Sequence, residues 1–208
     1  MSRNLTMARA ILLAALVLLI AGTTAFRAVP ALAGNGQPSK VYNSKKVTVY
    51  YDNEKQIQEL RQKIKPKSLT RSLNKLFSGS DSGTKENLGQ FLDILFERVQ
   101  TILEMPMPKQ KVNIWIHPSI KHLGKFFQAN YGGPTAKQTS MGASVTGPAF
   151  YVKKTNTIHI QVEDMRIGIL AHEMAHSITE NYFIIRPPTN VAEIMSQHVD
   201  REVSQGRF

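Results

Sequence analysis

The sequence of 208 residues contains no cysteine, which excludes both a disulfide framework and a lipid-modified cysteine. The fold must therefore be held together by its apolar core. Acidic residues are also scarce, because 15 Asp and Glu stand against 26 Lys and Arg and give a formal net charge of +11. The lysines are spread along the chain without interleaved aromatic residues, so we expect no nucleic-acid partner.

Long apolar runs are scarce as well. The run from Ala10 to Ala21 has 12 residues and would be about 18 Å long as a helix, well short of the roughly 30 Å hydrocarbon thickness of a bilayer. Arg3 and Arg9 precede this run, and a small-residue pattern ending at Ala33 follows it. This order predicts a cleavable signal peptide at residues 1–33, with an uncleaved N-terminal anchor as the alternative. We therefore expect an exported protein, either extracellular or in the periplasm or cell envelope.

Cleavage after Ala33 would remove three arginines and no acidic residue, so the net charge would fall from +11 to +8. A chain of this charge could make weak contacts with anionic cell-envelope surfaces. Residues 34–45 are rich in Gly, Pro, Ser, Asn and Lys, which predicts a flexible leader with ordered structure starting at Val47. The remaining residues, 46–208, are enough for one domain and too few for two.

Alternating apolar residues predict strands, and apolar residues at helical spacing predict helices. The first half of the domain is predicted to contain a strand at Val47–Tyr51, a helix at Glu54–Ile64, a short helix at Leu69–Phe77 and a long helix that Thr84 caps and Pro106 ends. The second half is predicted to contain a strand at Val112–Ile116, a helix that Ser119 caps, a hairpin with arms at 149–152 and 157–162, a helix that Asp164 caps, and a final helix from near Asn190. This mixture predicts an α+β domain.

The strongest chemical motif is His172-Glu173-Met174-Ala175-His176, an HExxH sequence within an apolar helical pattern. At about 100° per residue, His172 and His176 lie on one face of the helix a single turn apart and can share one metal ion. Glu173 is rotated off that face, so it is the candidate catalytic base and not a ligand. The alternative is a helix with two surface or capping histidines, which the surrounding apolar stripe disfavours.

Two histidines do not complete a catalytic zinc site, which usually has three protein ligands. A metzincin would need Gly at position 179 and His at position 182, and the chain has Thr179 and Tyr182. Glu193 is the strongest candidate for the third ligand, because the Pro187-Pro188 turn would fold its helix back beside the first. The candidate Zn²⁺ ligands are therefore His172, His176 and Glu193.

Glu193 also has a structural interpretation. Asn190 and Glu193 have the spacing of a capping box, which would satisfy the N-terminus of the last helix. A metal site with two histidines needs a further donor, so we favour Glu193 as a ligand. His198 is the alternative ligand, although it would lie roughly 140° around the helix from Glu193.

An HExxH motif followed by a glutamate on the next helix resembles the gluzincins, the thermolysin-like clan of zinc metallopeptidases. Residues 192–199 look like the ligand helix of small bacterial members, and Thr157–Val162 looks like their edge strand. The resemblance implies a small zincin-like domain, in which a mixed sheet places an edge strand beside the HExxH active-site helix and a ligand helix follows. It also implies bound Zn²⁺, a peptide or protein substrate, and hydrolysis by a zinc-activated water with Glu173 as general base.

The sequence departs from that family near the third ligand. Ile194 stands where a glycine often follows the ligand, and Gln197 replaces the aspartate that supports a zinc-bound imidazole in thermolysin-like enzymes. Asp200 is a weaker substitute for that aspartate. The residue that stabilises the transition state stays open among Tyr151, Tyr182 and His198.

The remaining histidines are predicted to lie at the surface. His117 and His122 flank the start of one helix, and His159 and Gln161 would project from their strand on the side away from the core. The alternative function is a non-catalytic zinc-binding or cell-envelope binding and assembly protein with a gluzincin fold. The presence of Glu173 favours the enzyme over this alternative.

Overall fold

The computed structural model describes residues 38–66, 84–131 and 147–206, which belong to one compact unit. The expected signal peptide at 1–33 and the expected short helix at Leu69–Phe77 lie outside these residues. Within them the chain forms five strands and five α-helices. The strands are β1 (Lys40–Asn43), β2 (Val47–Tyr51), β3 (Val112–His117), β4 (Ala149–Val152) and β5 (Thr157–Gln161); the helices are α1 (Glu54–Lys63), α2 (Thr84–Leu103), α3 (Ile120–Tyr131), α4 (Ile167–Tyr182) and α5 (Thr189–Ser204).

The five strands form one mixed sheet in the order β1-β2-β3-β5-β4. The pairs β2–β3 and β3–β5 are parallel, whereas β1 and β4 run antiparallel to their neighbours at the two edges. The predicted α+β class with a mixed sheet is therefore confirmed. The expected edge strand was wrong, because β5 lies inside the sheet and β4 forms the edge. A hairpin leaves only one of its arms at the edge, and the sequence does not show which arm pairs with β3.

Ordered structure begins earlier than predicted, because β1 lies within the expected flexible leader. It pairs with β2 along its whole length, from Lys40 opposite Tyr51 to Asn43 opposite Thr48. Lys40 also forms an ion pair with Glu54 at 3.1 Å. The strand was missed because its four residues are largely exposed and carry no apolar alternation. Backbone pairing with β2, and not burial, orders this segment.

Helices cover both faces of the central strands. One face of β2, β3 and β5 packs with α1, α2, α4 and α5 in the main core, through residues such as Ile114, Ile158 and Ile160. On the other face, Leu123 and Phe127 of α3 pack against Phe150 and Val152 of β4 in a smaller core. Every residue of β5 is therefore buried. This coverage corrects the expectation that His159 and Gln161 are exposed, since both have 0% exposure.

Local hydrogen bonds set several helix ends. Asn53 and Gln56 form a reciprocal capping box at the start of α1, which was not predicted from the sequence. The Ser119 hydroxyl accepts a bond from the His122 amide at the start of α3, as predicted. The predicted cap of α4 by Asp164 was wrong. That helix starts at Ile167 after Arg166, and Asp164 instead accepts a bond from the buried Gln161 side chain at 3.2 Å.

In the three described ranges, every helix is too short or too polar to cross a membrane.

Candidate metal centre

Helix α4 presents two histidines from successive turns on one side. His172 and His176 are half-buried, and their Nε2 atoms lie 3.2 Å apart. The rest of the helix is fixed by buried apolar residues, among them Leu170, Met174 and Ile178, which pack in the main core. Packing of this apolar stripe therefore determines which way the two imidazoles point, as the helical spacing predicted.

Helix α5 brings a carboxylate to the same point. The chain turns back through Pro187 and Pro188, and α5 then packs along α4. Glu193 Oε2 lies 3.6 Å from His172 Nε2 and 3.4 Å from His176 Nε2. The capping-box interpretation of Glu193 was wrong, because α5 starts at Thr189, Asn190 is already helical, and no side chain caps this end.

The three donor atoms fit a single zinc ion by their spacing. A tetrahedral site with metal–ligand bonds of about 2.0–2.1 Å has ligand–ligand edges of about 3.3–3.4 Å. The observed edges are 3.2, 3.4 and 3.6 Å. Two imidazoles and one carboxylate are also the donor set of a catalytic zinc site that keeps a fourth position open. Among the described residues, this group is the one in which three side chains could hold a metal ion.

Gln197 supports the carboxylate ligand and not an imidazole. Its Nε2 donates a hydrogen bond to Glu193 Oε1 at 3.0 Å, one turn along α5. This bond occupies the carboxylate oxygen that faces away from the histidines and leaves Oε2 toward them. The expectation that Gln197 contacts an imidazole is replaced by this contact with Glu193.

The alternative ligand His198 and the acidic residue Asp200, both on α5, have other surroundings. His198 is exposed, and Asp200 accepts a hydrogen bond from the Ser204 hydroxyl at 2.8 Å. Asp200 and Ser204 pack against Gly168 of α4, where a Cβ would lie only 1.9 Å from Asp200 Oδ1. Gly168 therefore permits the close approach of α4 and α5 that brings Glu193 to the histidines.

The electrostatic environment favours the metal-binding form of His176. Burial and, to a smaller extent, His172 lower the pKa of His176 to about 4, against the opposing effect of Glu193. His176 is therefore neutral at pH 7, which is the state in which an imidazole binds a metal ion.

Glu173 lies beside this group but is not part of it. Its carboxylate accepts a hydrogen bond from the Tyr151 backbone amide of β4. Burial and, to a smaller extent, the nearby Glu193 carboxylate raise the pKa of Glu173 to about 8, against the opposing effect of the Tyr151 hydrogen bond. A carboxyl group whose pKa is near neutrality can both accept and donate a proton, which is the property required of a general acid and base.

The edge strand β4 keeps main-chain groups available. The Gln161 amide donates to the Pro148 carbonyl, and in an antiparallel pair such bonded positions alternate. Phe150 and Val152 therefore bond to β5, whereas the backbone groups of Ala149 and Tyr151 point toward the free edge. The Tyr151 amide contacts Glu173, so among the described residues no strand pairs with the Tyr151 carbonyl or with either Ala149 group.

The three candidates for transition-state stabilisation have different surroundings. The Tyr151 hydroxyl donates to Asn156 Oδ1 at 3.0 Å and accepts from Asn181 Nδ2 at 3.2 Å, and burial raises its pKa to about 12. This hydroxyl joins the hairpin to α4 and is already hydrogen-bonded on both sides. Tyr182 and His198 are exposed.

Sequence reasoning missed a chain of three histidines on the opposite face of the sheet. His117 Nδ1 lies 3.1 Å from His122 Nδ1, and His117 Nε2 lies 3.0 Å from His159 Nδ1. His117 was expected at the surface, yet it is only 1% exposed because α3 covers β3. The signal available in the sequence was the alternation of Trp115 and His117 with Ile114 and Ile116 in a strand buried on both faces.

Aromatic rings surround the buried end of this histidine chain. The His159 ring stacks on the Phe150 ring, with 4.9 Å between their centroids. Its centroid lies 4.8 Å from that of Phe126 and 5.5 Å from that of Trp115. Burial lowers the pKa of His117 to about 3 and the pKa of His159 well below its usual value. The three-ring chain thus contains at least two neutral imidazoles that bond α3 to the centre of the sheet.

Comparisons of the chain with protein-family models, with curated proteins and with solved structures give no match.

Proposed function

We propose that this chain is an exported zinc metallohydrolase, of the peptidase type, with a zincin-like arrangement of its sheet and last two helices. The observation that carries the proposal is the triangle of donor atoms from His172, His176 and Glu193, with edges of 3.2–3.6 Å. These donors come from two helices that the main core packs together, so their convergence does not follow from the HExxH spacing alone.

The same donor set also occurs in sites for non-haem iron, so the proposal for zinc needs a second argument. Glu173 supplies it, because hydrolysis requires a proton acceptor next to the metal and oxygen chemistry does not require this residue. When bound, zinc would act as a Lewis acid that polarises the scissile carbonyl and makes water more acidic. Glu173 then removes a proton from the attacking water and later delivers it to the nitrogen of the leaving amine.

The edge of β4, with which no strand of the described ranges pairs, supports a peptide as the substrate class. An extended peptide can add to a sheet edge through main-chain hydrogen bonds. The Ala149 groups and the Tyr151 carbonyl face this edge, and the Tyr151 amide is bonded to Glu173. A peptide bound there would therefore lie next to the proposed base. Binding at this edge would place the scissile bond close to Glu173.

Elemental analysis and a peptide library test the proposal together. We expect about one zinc ion per chain and hydrolysis that a chelator removes and added zinc restores. Zinc without hydrolysis of any library peptide would favour the alternative of a zinc-binding or cell-envelope assembly protein. Protein that holds no transition metal when purified without chelator would contradict both.

A further inference from the structure

The last residue of α4 and the turn that follows it expose four consecutive large apolar side chains. The exposed fractions are 44% for Tyr182, 39% for Phe183, 104% for Ile184 and 85% for Ile185. We call these four residues the apolar turn. Exposed apolar residues are common as single side chains, but consecutive ones in a short turn mark an interaction surface.

Ion pairs next to the apolar turn fix its position on the domain. Arg186, which follows the turn, pairs with Glu180 at 2.5 Å, and Lys153 pairs with the other oxygen of the same carboxylate at 2.9 Å. The Glu180 side chain is only 4% exposed. Pro187 and Pro188 then lead into α5. The turn is therefore anchored to α4 and to the β4–β5 connection.

The shape of the apolar turn distinguishes between kinds of partner. A side chain that lines a substrate cleft is partly covered by the walls of the cleft, whereas Ile184 and Ile185 are almost completely exposed and so protrude. Four side chains offer a few hundred Å² in total, which is less than the roughly 800 Å² per partner of a standard protein interface. A protruding apolar surface of this size is suited to insertion into the apolar layer of a membrane.

Charge around the base of the turn points to the chemistry of that layer. Lys153 and Arg186 both pair with one acid, Glu180, so these three side chains together carry a net charge of +1. The chain as a whole carries a net charge of +11. Cations behind an apolar tip match a bilayer surface, where anionic headgroups lie above the acyl chains.

We propose that the apolar turn docks this protein on an anionic membrane surface, with Ile184 and Ile185 inserted at the level of the upper acyl chains. Tyr182 lies on α4 six residues beyond His176, which is about 9 Å along the helix axis. Docking by this turn would therefore keep the metal centre close to the membrane. This inference does not depend on the proposed hydrolysis.

The absence of cysteine allows a direct test in the full chain. Ile185→Cys is labelled with the environment-sensitive dye NBD and mixed with vesicles of phosphatidylcholine or of phosphatidylcholine with phosphatidylglycerol. Val41→Cys, at an exposed position in β1 (52% exposed), carries the same dye as the matched control. The dye emission depends on the polarity around the labelled residue itself. Lipid binding through the apolar run at residues 10–21 would therefore not produce the expected change at position 185.

We expect the emission at position 185 to shift to the blue and rise at least twofold with anionic vesicles, and much less with phosphatidylcholine alone. The control at position 41 should not change. A second variant combines Ile184→Ser with Ile185→Ser and keeps every lysine of the wild type. This variant should bind lipid at least tenfold more weakly in sedimentation. Unchanged emission at position 185 with both vesicle types would overturn the proposal. A blue shift that depends on protein concentration without lipid would overturn it in favour of a second copy of the chain.

Discussion

Gln197 donates a hydrogen bond to Glu193 Oε1 at 3.0 Å, while the other oxygen of Glu193 lies within 3.6 Å of both motif histidines. The side chain thus holds the carboxylate in the orientation that completes the triangle of donors. The supporting residue here contacts the carboxylate of Glu193, whereas the sequence resemblance to thermolysin-like enzymes implied support of an imidazole. The proposed metal centre therefore depends on contacts within α5 as well as on the HExxH helix.

We expect Gln197→Ala to weaken zinc binding by about 10–100-fold, the usual effect of removing a partner that orients a ligand. Without the amide, the Glu193 carboxylate can rotate away from the histidines. Competition with a zinc-binding dye measures the affinity. Gln128→Ala, at an exposed position of α3, is the matched control and should leave the affinity unchanged. Equal affinities for the two variants would show that Gln197 does not support the site.

Glu193→Gln tests the third ligand itself. A neutral amide is a far poorer donor to zinc than a carboxylate, so zinc affinity should fall severely while the helical circular dichroism of the chain is retained. Glu163→Gln, an exposed substitution of the same chemistry, should change neither property. If Glu193→Gln keeps the zinc affinity of the wild type, His198 or Asp200 must supply the third ligand.

Two glycine substitutions test the packing of α4 against α5. Gly168→Ala would place a Cβ 1.9 Å from Asp200 Oδ1 and 2.1 Å from Ser204 Oγ. Both side chains would have to move, so we expect a loss of about 1–2 kcal/mol in the free energy of unfolding. Gly124→Ala meets no atom within 4 Å in α3 and should stabilise the chain by about 0.5–1 kcal/mol through helix propensity. Urea unfolding measures both, and effects of the same sign would contradict this account of the helix contact.

The buried histidines make stability depend on pH. Burial lowers the pKa of His117 to about 3 and lowers that of His159 as well, whereas both would titrate near 6.5 in the unfolded chain. At these two sites the unfolded state therefore binds more protons below pH 6.5, and their contribution to stability falls as the pH drops from there toward 3. Two such groups give a slope of up to about 2.7 kcal/mol per pH unit.

Urea unfolding of the wild type and of His159→Phe between pH 7 and pH 5 measures this slope. The phenylalanine fits the aromatic surroundings and removes one titrating group, so the slope should fall by about half of the contribution of the pair. His198→Phe, at an exposed position of α5, should leave the slope unchanged. Equal slopes for the wild type and His159→Phe would mean that His159 is not a neutral buried group in the folded chain.

The sequence predicted most elements but not how they are arranged in the sheet. The spacing of apolar residues located β2, β3, α2 and α4 because those segments bury one regular face. It did not identify β1, which is ordered by backbone pairing alone, and it did not distinguish β4 from β5 as the edge strand. Both errors concern contacts between segments that are distant in the sequence. The local spacing of apolar residues gives no information about such contacts.

The candidate site was predictable where its spacing is local. His172, Glu173 and His176 followed from one helical turn, and the Pro187-Pro188 turn indicated that Glu193 would return to them. The role of Gln197 and the burial of His117 and His159 were not predictable. They depend on which side chains face each other across packed elements, and α3 covers a sheet face that the sequence alone leaves open.

Hydrolysis by Glu173→Gln, measured at a zinc content equal to that of the wild type, tests the proposed function most directly. The substitution keeps the size and polarity of the side chain and removes its ability to take a proton, so zinc content should stay near one ion per chain. We predict that peptide hydrolysis falls by roughly 10²- to 10⁴-fold, the range for losing a general acid and base. A Glu173→Gln variant that holds zinc and retains most of the wild-type rate would contradict the proposed function of this site.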